Sequence, residues 1–110
     1  MHTKFGDLDV IEFDDEGFLK VPSQWNVEIA TNTAKEKDIE LSEAHWTVIN
    51  AARSFYAKTG ISPSMRPLIK IVESEDATIA NSITLAQLFT PQVTRRVAQI
   101  AGIPKPSDCL

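Results

Sequence analysis

Cys109 is the only cysteine in the 110-residue chain, and one residue, Leu110, follows it. A thiolate is a nucleophile, a redox group and a metal ligand, so the first question is which of these the surroundings allow. One cysteine excludes an internal disulfide, and with His2 and His45 as the only histidines no metal-ligating cluster is expected. What remains is a nucleophile on a chain end or an inert thiol at a frayed one. The residues before it favour the first. Pro104 and Pro106 fix φ, remove backbone donors and push Ile103 and Lys105 extended, while Gly102 stands where a helix would end in a left-handed residue. Gly102, Pro104, Lys105 and Pro106 therefore predict a stiff arm over 102–110. At about 3.1 Å per residue, it spans on the order of 20 Å from Gly102 to Cys109. Charge works against the thiolate within the arm. Asp108 and the Leu110 carboxylate are its neighbours, and Lys105 is too far along an extended chain to offset them. Activation is expected from the folded body or from a partner's pocket.

Other residues admit two readings each. Arg53, Arg66 and Lys70 sit on otherwise apolar helical stretches, either as solvated charge on long stems or as a basic docking patch for the arm or an acidic partner. His45 reads as a hydrogen-bonding residue in the first turn of a helix, with general-base chemistry as the alternative. Arg95-Arg96 could meet phosphate, although two basic residues in an acidic protein are a weak signal. Trp25, Trp46, Phe55, Tyr56 and Phe89 read as core aromatics.

The elements that must position these groups follow from pattern. Leu8, Val10 and Ile11-Glu12-Phe13, the turn cluster Asp14-Asp15-Glu16-Gly17 and Phe18-Leu19-Lys20-Val21 predict a hairpin that needs helices to cover one face. Pro22-Ser23 predicts a helix start, with Trp25, Ile29 and Thr33 inward to about Lys37. Ser42 caps a second helix that runs to Lys58 and closes at Gly60, with Trp46, Ile49, Arg53 and Tyr56 on one face. Ser62-Pro63 starts a third, carrying Met65, Leu68, Ile69 and Val72, and Glu73–Thr78 reads as an exposed loop. Thr90-Pro91 starts the last, with Val93, Val97, Ile100 and Ala101 inward.

Composition bounds the rest. The length holds one domain, 1–110, and 43% apolar with 24% charged residues is ordinary for a globular protein. A net charge of −4 argues against nucleic-acid binding. Met1–Asp7 lacks a signal-peptide core and no run approaches the roughly 18 apolar residues of a membrane span, so a reducing cytoplasm is expected.

Taken together, Ala101-Gly102-Ile103-Pro104-Lys105-Pro106-Ser107-Asp108-Cys109-Leu110 resembles the terminus of the DsrC/TusE family of small sulfur-relay proteins. Gly17-Phe18-Leu19, Trp25, Ile39-Glu40-Leu41-Ser42 with His45-Trp46, Arg53 with Phe55-Tyr56, Ser62-Pro63 with Arg66 and Leu68-Ile69-Lys70, and Leu88-Phe89 follow in the family's order, so that the resemblance covers about residues 10 to 110. It implies an α+β, predominantly helical fold, with a small N-terminal antiparallel sheet or hairpin packed on about five helices. It further implies a stoichiometric sulfur carrier, at the margin of what counts as an enzyme, without cofactor, holding a persulfide on Cys109. The implied partners are an upstream sulfur-donor relay complex and a downstream acceptor such as the tRNA 2-thiolase acting at the wobble uridine, or a sulfite-reductase-like enzyme. Members that serve dissimilatory sulfite reductase carry a second cysteine where this chain has Ala98, which leaves single-site carriage. Asp108, Thr84, Ala86 and Thr90-Pro91-Gln92-Val93 depart from the family's usual residues and point to an altered docking surface.

Overall fold

The N-terminal segment pairs with itself ahead of the first helix in the chain. A computed structural model describes residues 2–5 and 9–109. In it, β1 (His2–Phe5) runs antiparallel to β2 (Asp9–Glu12), with His2 opposite Glu12 and Phe5 opposite Asp9. Leu8, assigned to a strand above, and the Leu110 carboxylate lie outside the described residues. The hairpin expected around Asp14–Gly17 survives as a single bridge, Phe13 to Leu19, beyond the strand pair. Its turn is closed by Asp14, whose carboxylate accepts from the amides of Glu16 and Phe18, both at 2.9 Å. Gly17 takes φ +85°, and an added Cβ would stand 3.2 Å from Gln99 Nε2, so the turn is pressed onto the last helix.

Five helices carry the rest: α1 (Val27–Glu36), α2 (Glu43–Thr59), α3 (Met65–Glu75), α4 (Ser82–Phe89) and α5 (Val93–Ala101). The fold is thus α+β and predominantly helical. Helix α5 packs on each of the other four, and its stripe Val97, Ala98, Ile100 and Ala101 is buried against Val48, Ile49, Leu68, Leu85 and Phe89. A satellite cluster of Ile11, Leu19 and Ile29 joins β2 and the bridge beyond it to α1.

Three starts differ from expectation, each for a local reason. Pro22–Gln24 makes only a 3₁₀ turn, and Trp25 is extended (φ −61°, ψ 143°) before Asn26 caps α1 by accepting from the Ile29 amide at 2.9 Å. The break frees the Trp25 side chain to leave the helix line. At α3 the cap position falls to Ser64 rather than Ser62, and the Ser62 hydroxyl is used elsewhere. Helix α5 begins at Val93, not at Pro91, because Thr90 with φ +71° ends α4 first. Helix α4 itself, capped by Asn81 on the Thr84 amide at 2.8 Å, is not anticipated by the residue pattern. The Glu73–Thr78 loop begins only after Glu75, since α3 extends that far.

Candidate functional site

The tail that carries Cys109 does not project; it folds back along α5. Its root is built into the core. Gly102 adopts φ +67° at the end of α5, and the amides of Gly102 and Ile103 both return to the Ala98 carbonyl. Trp25 donates its indole N–H to the Ile100 carbonyl at 2.9 Å, and Arg53 donates to the Ala101 carbonyl at 2.7 Å while its guanidinium lies 4.0 Å over the Trp25 ring. Thus the carbonyls that the helix end would leave orphaned are taken up by two side chains from other elements. Ile103 is completely buried, and the Pro104 carbonyl accepts from the Ser62 hydroxyl at 2.5 Å. An added Cβ on Gly102 would fall 2.4 Å from Trp25 Cδ1, so no other residue fits between indole and backbone.

Beyond Pro104 the contacts change character. Lys105 reaches Glu16 Oε1 at 3.1 Å, Pro106 is buried, and a turn at Ser107-Asp108 returns the Cys109 amide to the Pro106 carbonyl at 3.2 Å. Asp108 spans two helix starts, accepting from the Met65 amide of α3 and from Thr94 Oγ1 of α5, each at 3.0 Å. Its charge is turned toward these donors. The Cys109 thiol is half-buried and borders an open cleft of about 340 Å³ whose lining includes Met65, Pro91, Gln92, Thr94 and Arg95. The one donor that the described residues bring to Sγ is Arg95 Nη1, at 3.8 Å. The second arm of that guanidinium lies 3.7 Å from Glu16 Oε1, and the group sits 5.6 Å from the Phe18 ring centre.

Several sequence expectations change in this light. The stiff arm reaching some 20 Å from Gly102 is corrected: Ile103 lies in the core and Ser62 holds Pro104, so only the residues after Pro104 have a surface attachment. Arg53 is no open docking charge but a clamp on the tail's root, and burial pushes its guanidinium below its ordinary value. Arg66 and Lys70 are exposed on α3, apart from that clamp. His45 is structural. Its Nδ1 accepts from the Ser42 amide at 3.0 Å and its Nε2 donates to the Leu88 carbonyl at 2.8 Å, completing a capping box and tying α2 to α4. The body brings one cation close to the thiol among the described residues, Arg95, which sequence reasoning assigned only to phosphate. The available signal was length: a tail of this size, turned back at Gly102, retraces α5 to its first turn.

Among the described residues no cluster of histidine, cysteine and acidic side chains could hold a metal, and no helix is long and apolar enough to cross a membrane.

Comparison with known proteins agrees with this architecture. The family model described as "DsrC like protein" matches residues 7–110. The chain is 48% identical over 101 residues to the sulfurtransferase TusE of Buchnera aphidicola from Schizaphis graminum, covering 91% of this chain and 89% of that one. It is 38% identical over 101 residues to the sulfurtransferase TusE of Escherichia coli, covering 91% and 93%. The NMR structure of Allochromatium vinosum DsrC matches with a TM-score of 0.85 at 33% identity over 100% of both chains. The crystal structure of the oxidized gamma-subunit of dissimilatory sulfite reductase (DsrC) from Archaeoglobus fulgidus matches with 0.79 at 34% identity, over 93% of this chain and 94% of that one. Alike in residue order and in backbone from the first turn to the tail, the chain belongs to the DsrC-like family.

Proposed function

We propose that the protein is a sulfur carrier that holds a sulfane sulfur on Cys109 as Cys-S-SH, taken from a donor persulfide and handed to an acceptor in a sulfur relay. The observation that carries this reading is the placement of a lone thiol beside a guanidinium and an open cleft, at the tip of a tail whose root is built into the core. The protein then acts stoichiometrically, through a covalent intermediate and without a cofactor of its own. Relatives named sulfurtransferase TusE at up to 48% identity support transfer rather than redox cycling. Ala98, buried in α5 where a second cysteine would be needed, leaves no internal partner for a disulfide.

For delivery, the tip detaches while the root stays. From Pro104 to Cys109 the released segment reaches on the order of 15 Å at about 3.1 Å per residue, enough to enter another protein's pocket. The acceptor that fits the TusE relatives is the thiolase that makes 2-thiouridine at the tRNA wobble position, with an upstream relay complex as donor. A second reading, a subunit associated with a sulfite-reductase-like enzyme, is favoured by the likeness to the A. fulgidus gamma-subunit. Either role places the thiol in a reducing compartment such as the cytoplasm. Arg66 and Lys70, exposed on α3, are the docking charges that remain for an acidic partner.

Intact-mass measurement after incubation with glutathione persulfide tests the carrier reading. The expected result is a gain of one sulfur that is reversed by dithiothreitol and absent in Cys109→Ser. A wild-type chain that never gains the sulfur, from this reagent or from a protein persulfide, would sink it.

A further inference from the structure

We infer that Arg95 is the anion-binding residue of the transfer site. It accompanies the charged sulfur on Cys109 and draws the anionic persulfide end of the donor into the cleft. The inference deepens the carrier reading and rests on it for the identity of the donor, though not for the electrostatics.

Five observations converge on Arg95. Its Nη1 stands 3.8 Å from Sγ and is the sole donor brought there among the described residues. The guanidinium has two further neighbours, Glu16 Oε1 at 3.7 Å and the Phe18 ring, whose centre is 5.6 Å away. Glu16 shares its carboxylate with Lys105 at 3.1 Å, closer than the 3.7 Å to Arg95, so Arg95 does not hold this counter-charge alone. Asp108, one of the two carboxylates adjacent to the thiol in sequence, also lines the cleft, but its oxygens are engaged by the Met65 amide and Thr94 Oγ1. The cleft of about 340 Å³ beside Sγ leaves room for a second sulfur at about 2 Å from the first and for the end of a donor.

The transfer balances without an added reagent. An R–S–S⁻ donor in the cleft takes a proton from water to give R–S–SH, whose terminal sulfur the Cys109 thiolate attacks; the donor S–S bond breaks, a new one forms at Sγ, and R–S⁻ leaves with the bonding pair. The sulfane sulfur keeps its oxidation state, and the product is Cys109-S-SH, whose proton is lost to water to give an anionic terminal sulfur. Both the approaching persulfide and the loaded product carry negative charge in their ionised forms. A cation beside the sulfur stabilises such charge.

Alkylation by two reagents of like reactivity and different charge isolates the effect. Iodoacetate and iodoacetamide react with the same thiolate, so their rate ratio cancels its population and reads the local field. In the full chain, Arg95→Gln is expected to lower the iodoacetate-to-iodoacetamide ratio at Cys109 about threefold or more, and Arg95→Lys to retain most of it. Glu16→Gln, which removes the opposing carboxylate, is expected to raise it. Loading from glutathione persulfide should slow about tenfold in Arg95→Gln and recover in Arg95→Lys, with thermal midpoints showing that each variant is folded. An unchanged ratio together with unchanged loading in folded Arg95→Gln overturns the inference while leaving the carrier reading intact. A ratio that falls while the wild type never loads keeps the anion site and refutes the carrier reading.

Discussion

The root and the tip of the tail are consecutive in sequence and opposite in physics. At the root, Gly102 to Pro104, a left-handed glycine, a fully buried isoleucine and three side chains from distant elements, Trp25, Arg53 and Ser62, leave the backbone one conformation. At the tip, Lys105 to Cys109, Pro106 is buried and the other attachments are polar, exposed ones to Glu16, Met65 and Thr94 and a part-buried one to Arg95. Surface contacts of this kind each contribute about 1 kcal/mol or less, whereas burying Ile103 contributes about 2 kcal/mol or more. The comparison teaches that a tethered reactive group needs a hinge with a firm side, and here the division falls at Pro104.

The comparison breaks most visibly at Gly102. Gly102→Ala combines a positive φ with a clash against the Trp25 ring, and should cost about 3 kcal/mol of unfolding free energy by urea denaturation. A cost below about 1 kcal/mol would mean that the root yields as easily as the tip. Asp108→Asn addresses the other side. Losing the charge-assisted bonds to Met65 and Thr94 should weaken the docked tip by about 1 kcal/mol, so that amide exchange at Cys109 speeds about fivefold while α5 exchange is unchanged. Equal acceleration in α5 would merge the two regions into one.

The smallest effect concerns the body beneath the tip. Burial, with help from Arg96 and Arg95, holds the Lys37 ammonium below its ordinary value of 10.5. The folded chain therefore releases this proton before the unfolded chain does, so the unfolded state binds more protons and stability rises with pH in the window just below 10.5. Lys37→Gln should flatten that rise in pH-dependent melts and leave tip exchange untouched; a slope identical to wild type would contradict it.

How much of this was legible in the residues depends on range. Gly102 as a helix terminator, Ser42 as a cap, His45 as a hydrogen-bonding residue and the Asp14–Gly17 turn all obey rules that operate within one turn of chain, and each is where the pattern placed it. Cys109 stood out by position alone. What failed was tertiary: the tail's retreat along α5, which converts Arg95 from a stray charge into the neighbour of the thiol, is decided by Ile103 finding the core and Ser62 finding the Pro104 carbonyl. Ser62 illustrates the limit, since its hydroxyl suits a helix cap and a distant carbonyl equally well, and here it bonds the Pro104 carbonyl while the cap position falls to Ser64, which makes no side-chain cap bond. Helix α4 escaped because eight residues are too few for a period to show.

Trp25 gives the molecule a built-in optical gauge. Its indole lies on the Gly102 backbone, hydrogen-bonded to Ile100 and covered by a guanidinium, while Trp46 is the only other indole in the chain. In a Trp46→Phe background, emission would follow the anchor alone and ignore departures of the thiol, so a dye on Cys109 would read the moving end against an internal fluorescent standard.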